Sequence, residues 1–203
     1  MPFIVIDGPD NVGKSTQVAL LQQRLRTVDI GAITTREPGA PLIPLCQQIR
    51  EVLRPANHHD TTALGLFLAD RAAHMDHIKG KFLDHGWWVI CDRWEHSTLA
   101  YQGGPSRAEQ TILLPIVRHF RLGIMPGLTI LLFRSEPLVG TADAWDRKWP
   151  YHELCQAYRI AASVSDVQPT VQITCDGAAG EVADIIWEQV KGLVDKKIQE
   201  GIA

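Results

Sequence analysis

The chain has 203 residues, of which 45% are hydrophobic and 21% are charged, a composition that is ordinary for a globular domain with one buried core. Its 20 Lys and Arg residues against 23 Asp and Glu residues give a net charge of -3, which argues against a broad nucleic-acid-binding surface. No apolar run approaches the roughly 20 residues of a membrane span, and the four scattered cysteines form no CxxC pair that would indicate a metal site. We therefore expect a cytoplasmic protein with small-molecule ligands and with no nucleic-acid or membrane partner.

Short apolar runs alternate with helical patterns along the chain. The predicted strands are FIVID near the amino terminus, AITT at 32–35, WWVICD at 87–92, LTILLF at 128–133 and VQIT at 171–174. The predicted helices span 14–27, 42–53, 61–85, 109–121 and 180–199. Strands that alternate with helices of this length indicate a parallel sheet covered on both faces. We find no internal repeat and no linker, so residues 1–203 are expected to form a single domain.

The stretch GPDNVGKS lies between the first predicted strand and the first predicted helix, and from Gly8 to Ser15 it matches the Walker A pattern. In such a loop, consecutive backbone N–H groups and the helix N-terminus bind the oxygens of a nucleoside triphosphate. Lys14 adds a positive charge at the β- and γ-phosphates, and Ser15 offers a hydroxyl to Mg²⁺. We therefore expect a bound nucleotide and an α/β fold of the P-loop NTPase type, with a parallel five-stranded sheet and helices on both faces.

Three downstream segments carry further candidate ligand-binding residues. In TTREPGAP, Arg36 follows the second strand, and in VICDRWEHSTLAYQGG the third strand ends in Asp92 and Arg93, at the sheet edge where open parallel sheets bind ligands. An acid at that strand end is placed to hold Mg²⁺ through water, and the arginine beside it can span two phosphates. In LGLFLADR, Phe67 and Arg71 are four residues apart, so a ring and a guanidinium share one helix face and can contact a nucleobase.

These segments, in this order after DGPDNVGKSTQ, resemble the thymidylate kinases, nucleoside monophosphate kinases with patterns close to TREPGG, LLFxADR and DRYxxSTxAYQG. The resemblance is strong over residues 3–105 and weak over the remainder. It implies a phosphotransferase of nucleotide biosynthesis that uses ATP and Mg²⁺ in the reaction ATP + dTMP → ADP + dTDP. Members of the family are commonly dimers, so the resemblance also implies a homodimer paired through helices such as the one at 61–85.

The resemblance further implies which residues form the site. The residues implied to bind ATP are Gly8, Asp10, Asn11, Val12, Gly13, Lys14, Ser15 and Thr16. Those implied to bind the acceptor nucleotide are Asp10, Arg36, Phe67, Arg71, Arg93, Ser97, Tyr101 and Gln102. The implied catalytic residues are Lys14, Asp92, Arg93 and Arg147, and the implied Mg²⁺ ligands are Ser15 and Asp92, partly through water.

Within the acceptor site, the resemblance separates contacts to the phosphate, the base and the sugar. Arg36 and Arg93 are implied to hold the 5′-phosphate, while Phe67 stacks on the pyrimidine and Arg71 donates to its O4. The remaining implied contacts are those of Asp10 with the 3′-hydroxyl, Tyr101 with the 2′ position, and Ser97 and Gln102 with polar edges of the base and sugar.

Several departures from the family pattern fall near the substrates. Asn11 stands where the bacterial branch has glycine and the eukaryotic branch has arginine, so a further cation is expected from a lid at about 140–152. In ADAWDRKWPY, Arg147 is the expected cation and Lys148 is the alternative. Trp94 replaces a smaller ring after Asp-Arg, so dUMP or a modified dUMP such as 5-hydroxymethyl-dUMP remains an alternative acceptor.

Other interpretations of the same residues also remain. On spacing alone, Phe67 is a core residue and Arg71 is an ion-pair partner on a solvated helix face. A deoxynucleoside kinase needs a carboxylate base near the acceptor, for which Glu37 is the candidate, whereas the pair of Arg36 and Arg93 favours an acceptor that already carries a phosphate. A non-catalytic nucleotide-binding module is the alternative from another class, and the intact Walker A lysine and serine argue against it.

Overall fold

The computed structural model describes residues 2–55, 58–139, 148–199 and 201. Within these ranges, five strands form one sheet in the order β2-β3-β1-β4-β5, and every neighbouring pair is parallel. The strands are β1 (Phe3–Asp7), β2 (Ala32–Arg36), β3 (Trp88–Asp92), β4 (Leu128–Phe133) and β5 (Thr170–Thr174). The predicted α/β fold with a five-stranded parallel sheet is therefore confirmed.

Helices cover both faces of this sheet. They are α1 (Lys14–Arg26), α2 (Pro44–Leu53), α3 (Asp60–Lys81), α4 (Glu95–Gly103), α5 (Arg107–Phe120), α6 (Tyr151–Val164) and α7 (Ala179–Gln199). Across the described ranges, none of them combines the length and the hydropathy that crossing a bilayer requires.

The central strand β1 shows why its sequence is apolar throughout. Ile4 and Ile6 pack on one face of the sheet, in a cluster with residues of α1 and α7. Phe3 and Val5 pack on the other face, in a cluster that includes Met75 of α3. Because both faces of the strand are buried, its apolar residues form a continuous run rather than alternating with polar ones.

Helix boundaries differ from the predictions at the end of α3 and the start of α2. The long helix ends at Lys81 rather than at residue 85, because a separate 3-10 turn at Leu83–His85 precedes Gly86. Gly86 has a φ of 77°, the left-handed conformation that favours glycine after a helical segment. Helix α2 begins at Pro44 rather than at 42, since proline fits the first turn, where its missing N–H costs no helical hydrogen bond.

The helices α4 and α6 are absent from the sequence predictions, for different reasons. Seven of the nine residues of α4 are buried, so it has no polar face to produce an amphipathic pattern. In α6, Leu154, Tyr158 and Ala161 are buried and recur at helical spacing, which is a signal that the sequence analysis misses.

The topology brings three chain segments together at the carboxyl edge of the sheet. Asp92 at the end of β3 is in register with Arg36 at the end of β2 and with Ile6 of β1. The Walker A loop leaves β1 immediately afterwards, at Gly8. Ligand-binding residues that are distant in sequence therefore share one edge, as expected for an open parallel sheet.

Candidate active site

A cavity of about 680 Å³ opens at this edge of the sheet. It is lined by all of the residues predicted to bind the acceptor, namely Asp10, Arg36, Phe67, Arg71, Arg93, Ser97, Tyr101 and Gln102. From the predicted donor and metal sites it is lined by Asn11, Gly13, Lys14, Ser15, Thr16 and Asp92. The predicted catalytic residue Arg147 lies outside the described residues, as does most of the predicted lid at 140–152.

The Walker A loop depends on glycine at its first position. Gly8 has a φ of 140°, and a Cβ there would collide with the carbonyl oxygen of Leu132 on the neighbouring strand β4. Only glycine combines this backbone conformation with so close an approach. The loop ends at Gly13, the residue before α1, so the amino terminus of that helix faces the cavity.

Lys14 is folded back onto its own loop. Its Nζ donates to the carbonyl oxygen of Pro9 at 2.5 Å and lies 4.0 Å from the Asp10 carboxylate. Burial, together with the nearby positive charge of Arg93, lowers the pKa of Lys14 to about 8. A lysine with this pKa loses part of its charge near pH 8.

Ser15 and Asp92 bring oxygen ligands together beside the loop. The Ser15 hydroxyl donates to Asp92 Oδ2 at 2.6 Å. The other carboxylate oxygen, Asp92 Oδ1, is buried and accepts no hydrogen bond from the described residues. A hydroxyl and a carboxylate are the hard oxygen ligands that Mg²⁺ prefers, so these residues fit the predicted metal site.

Arg93 is the most extensively bonded cation in the described part of the cavity. Its Nη1 donates to the carbonyl of Gly8 at 3.0 Å and to the hydroxyls of Ser97 and Tyr158 at 3.1 and 3.0 Å, and its Nη2 pairs with Asp10. Burial opposes the charged form, but Asp10 together with Tyr101, Tyr158 and Asp7 outweighs burial and holds the pKa of Arg93 above its usual value. The guanidinium remains charged and is held over the loop.

Asp7 is a site residue that the sequence analysis misses. This fully buried carboxylate accepts hydrogen bonds from the backbone N–H of Gly8 at 2.8 Å and of Trp94 at 3.0 Å. It also accepts from the hydroxyls of Ser97 and Tyr158, at 2.6 and 3.1 Å. Asp7 thus ties the Walker A loop to the start of α4 and to α6. Asp7 precedes the motif, and its contact with Tyr158 joins residues 151 positions apart in sequence, so this contact does not follow from a local pattern.

The Arg71 side chain is buried, so its placement on a solvated helix face is wrong. The residue is 2% exposed, and its Nε and Nη2 both donate to Glu37 Oε2, at 2.9 and 2.8 Å. Nη2 also donates to the Thr98 hydroxyl at 3.1 Å. Among the described residues Nη1 has no hydrogen-bond partner, and Arg71 borders the cavity. Nη1 is therefore the guanidinium nitrogen for which the described residues supply no acceptor.

Glu37 is held from two sides in this buried position. Its second oxygen, Oε1, lies 2.9 Å from His74 Nδ1 on α3. Burial raises the pKa of the Glu37 carboxyl, but Arg71 and His74 together outweigh burial and bring the pKa below its usual value. The carboxylate is thus charged, and both of its oxygens are engaged.

Phe67 lies between the core and the cavity. The half-buried ring packs against a cluster of Ile49, Leu53 and Ala63, and it also borders the cavity. Trp94 is fully buried, and its ring contacts Phe3 edge-on at 5.6 Å, although the residue also borders the cavity. The larger ring at position 94 is thus accommodated by the core.

Some residues of the site lie in places that the sequence did not predict. Lys148, the alternative lid cation, pairs with Asp60 at 3.0 Å at the start of α3 instead. Residues that border the main cavity without having been predicted as ligand contacts include Pro38, Arg50, Asp70 and Thr98. A second cavity of about 190 Å³ adjoins the Walker A loop and is lined by residues that include Val12, Gly13, Thr16, Arg134, Cys175 and Gly177.

Comparisons with known proteins agree on one family. A sequence model described as thymidylate kinase matches residues 6–142. The chain is 34% identical to the thymidylate kinase of Magnetococcus marinus, over 94% of this chain and 95% of the relative, and 36% identical to that of Thermomicrobium roseum, over 93% of each. The crystal structure of thymidylate kinase from Ehrlichia chaffeensis superposes with a TM-score of 0.73 at 25% identity, covering 93% of this chain and 97% of the other. The chain therefore belongs to the thymidylate kinase family and is a phosphotransferase.

Proposed function

We propose that this protein transfers the γ-phosphoryl group of ATP to the 5′-phosphate of a deoxypyrimidine monophosphate, converting dTMP to dTDP. The observation that carries the proposal is the arrangement of one cavity. Its phosphate end holds the Walker A loop and Arg93, and its base end holds Phe67 and Arg71. Both ends border the same space, as transfer between two nucleotides requires.

At the phosphate end, the acceptor itself supplies the nucleophile. The second pKa of a phosphate monoester is about 6, so at neutral pH the acceptor oxygen is deprotonated and needs no general base. This oxygen forms a bond to the γ-phosphorus while the bond to the bridging oxygen of the β-phosphate breaks, and ADP leaves with that electron pair. Lys14, Arg36 and Arg93 neutralise the oxygens of both phosphates and align them. Arg147 is proposed as a further cation.

Mg²⁺ fits the same end of the cavity. Ser15 and Asp92 would hold the ion, Asp92 partly through water, because they present a hydroxyl and a carboxylate beside the loop. The ion would neutralise charge on the donor phosphates.

At the base end, the proposed contacts are a ring and two buried donors. Phe67 stacks on the pyrimidine, and Arg71 Nη1 donates to O4. Gln102 Nε2 is buried without a hydrogen-bond partner in the described part of the chain, so it is available to a second polar edge of the base. Tyr101 donates to Asp10, and the two side chains together border the space proposed for the sugar.

The Ser97 hydroxyl is engaged elsewhere, with Asp7 and Arg93. A contact of Ser97 with the nucleoside stays a prediction. The adenosine of ATP is assigned to the second cavity, because Gly13 and Thr16 border both cavities and Arg134 presents a flat guanidinium there.

Glu37 would be the general base if the protein were a deoxynucleoside kinase. That reaction must remove a proton from a 5′-hydroxyl, which requires an accessible base with a pKa near neutrality. Glu37 is bound by Arg71 and His74, and although burial raises its pKa, these partners outweigh burial and lower it. This carboxylate is therefore a poor base, and the observation favours an acceptor that already carries a phosphate.

A homodimer is proposed through the face formed by α2, α3 and α5. Helix α3 packs against both α2 and α5. The flanking helices expose Leu45 and Val52 on α2 and Ile112 and Ile116 on α5. A second copy would cover this apolar surface. Sedimentation velocity should show a dimer, and Ile112→Glu with Ile116→Glu should yield a folded monomer.

The test of the proposed function is steady-state ADP formation with ATP and Mg²⁺ over a panel of acceptors. The panel contains dTMP, dUMP, 5-hydroxymethyl-dUMP, dCMP, dGMP and thymidine. We expect the largest kcat/KM for dTMP, strong rejection of dGMP and a smaller separation from dUMP, because one methyl group provides only about 1–3 kcal/mol. Preference for the hydroxymethyl nucleotide would change the substrate but keep the mechanism. Turnover of thymidine alone, or of no acceptor, would contradict the proposal.

A further inference from the structure

The base-reading arginine is supported by a chain of buried hydrogen bonds that extends away from the cavity. Arg71 pairs with Glu37, and Glu37 contacts His74 Nδ1 at 2.9 Å. His74 Nε2 lies 2.8 Å from the hydroxyl of Thr35 on β2. His74 is fully buried, and Thr35 and Glu37 are also buried. The chain therefore runs from the sheet to the cavity through buried residues.

One tautomer of His74 satisfies every group in this chain. A neutral imidazole with its proton on Nδ1 donates to Glu37, and its Nε2 then accepts from the Thr35 hydroxyl. In that state the only charges are those of Arg71 and Glu37, which compensate each other inside the protein. The order of donation is then Thr35 to His74 to Glu37, with Arg71 donating to Glu37 from the other side.

This chain fixes the plane of the guanidinium. Nε and Nη2 of Arg71 share one oxygen of Glu37, so a rotation of that carboxylate would rotate the guanidinium with it. His74 holds the other carboxylate oxygen and thereby prevents the rotation. The orientation of the Arg71 guanidinium at the cavity wall is thus determined by a residue that does not itself border the cavity.

We propose that His74, supported by Thr35, is a positioning residue that sets base selectivity by holding Glu37 and, through it, Arg71. The inference rests on the proposed function and deepens it. Loss of the His74 contact leaves the phosphate end of the cavity unchanged, so the chemical step persists. What changes is the alignment of Nη1 with position 4 of the pyrimidine, where dTMP carries an oxygen acceptor and dCMP carries an amino donor.

The test compares His74→Leu with His74→Asn. Leucine has a similar volume to histidine but no donor, whereas the amide nitrogen of asparagine occupies nearly the position of Nδ1 and can donate to Glu37. For His74→Leu we expect KM for dTMP to rise about tenfold with kcat within about threefold of the parent protein, and the dTMP to dCMP ratio of kcat/KM to fall about tenfold. His74→Asn should retain most of that ratio. Thr35→Val should lower it by a smaller factor.

Met75→Ala provides the matched control. Met75 follows His74 on α3 and is fully buried, but it packs in the cluster with Phe3 and Val5. This variant should lose stability and keep the dTMP to dCMP ratio. The proposal is overturned if His74→Leu lowers kcat equally for both acceptors, or if Met75→Ala shifts the ratio as much. If His74→Leu does not fold, an unchanged dTMP to dCMP ratio in Thr35→Val, with kcat lowered equally for both acceptors, also overturns it. Absence of dTMP turnover in the parent protein would instead contradict the proposed function.

Discussion

The two ends of the cavity hold their cations in different ways. At the phosphate end, Arg93 pairs with Asp10, whose side chain is 28% exposed, and Lys14 donates to a carbonyl of its own loop. At the base end, Arg71 and Glu37 have side chains that are only 3% and 5% exposed, and His74 supports them from behind. An incoming phosphate can replace the loop partners, whereas the base end needs no new partner except the base. The cations at the phosphate end can thus exchange their protein partners for phosphate oxygens, whereas the arginine at the base end is already held in place for the base.

This difference predicts that the two ends fail in different ways when a charge is removed. Arg93→Ala should reduce kcat by about 10³–10⁵-fold, the range measured when an arginine that stabilises phosphoryl transfer is lost. The protein should remain folded, because the Asp10 carboxylate that is left behind is partly exposed and water can solvate it. The measurements are kcat with saturating dTMP and the circular dichroism spectrum.

Arg159→Ala is the control for that experiment. Arg159 is an exposed arginine of α6 that lies over the Phe133 ring at 4.9 Å, away from the residues that line the cavity. Its loss should leave kcat near that of the parent protein. A near-normal kcat in Arg93→Ala would remove Arg93 from the proposed mechanism.

A substitution at the base end should cost stability instead. Glu37→Gln leaves the buried guanidinium of Arg71 without a compensating charge, and breaking a buried ion pair from one side typically costs about 3–5 kcal/mol. Asp10→Asn at the phosphate end should cost about 1 kcal/mol or less, as for a partly exposed pair. Urea unfolding of both variants measures the difference. Equal losses in the two variants would show that the ends are not organised differently.

Binding of ATP should be accompanied by proton uptake at Lys14, a residue of the phosphate end. Burial and Arg93 lower the pKa of free Lys14 to about 8, and the negative phosphates of ATP favour the charged lysine and raise its pKa again. At pH 8.5, binding of ATP should therefore take up a substantial fraction of a proton, whereas at pH 6.5 the lysine is already largely charged and uptake should be much smaller. Calorimetry in two buffers with different ionisation enthalpies measures this uptake.

Lys14→Met identifies the group that takes up the proton. The variant should bind ATP more weakly and without proton uptake at pH 8.5. If proton uptake is undiminished in Lys14→Met, the proton binds to another group. That result would contradict the proposal that ATP raises the lowered pKa of Lys14.

The places of the Walker A residues, Asp92 and Arg93 follow from local sequence, whereas the buried partners of Arg71 do not, for a physical reason. Walker A residues are contiguous, and Asp92 and Arg93 directly follow a strand, so the local pattern specifies their place at the sheet edge. Glu37 joins Arg71 across 34 positions and His74 across 37 positions of sequence. Such pairings depend on how α3 packs on the sheet, and no periodicity reports them.

The fold shows the same division. The strands were predicted because buried parallel strands are continuous apolar runs, whereas α4 is buried on nearly all sides and gives no amphipathic signal. Tyr158, which contacts Arg93, was missed together with its helix α6. Local sequence therefore could not supply the contacts between elements, such as the hydrogen bond of Arg93 to Tyr158.

A further small effect concerns the free-energy cost of burying charge at the base end. Asp70 precedes Arg71 and borders the cavity, and burial, with the nearby charge of Glu37, raises its pKa from 3.8 to about 6. Between these values the folded protein keeps a proton on Asp70 that the unfolded chain has released. Ionisation of the buried carboxyl therefore lowers the free energy of unfolding, and this penalty is absent below pH 4 and complete once the pH has risen above 6. Asp70→Asn keeps an oxygen that can accept from the Gly39 N–H and removes this penalty. We expect it to raise the free energy of unfolding by roughly 1 kcal/mol at pH 7.5 and by much less at pH 4.5. Urea unfolding at the two pH values decides the point, and an equal gain at both would show that the stabilisation does not come from the buried charge.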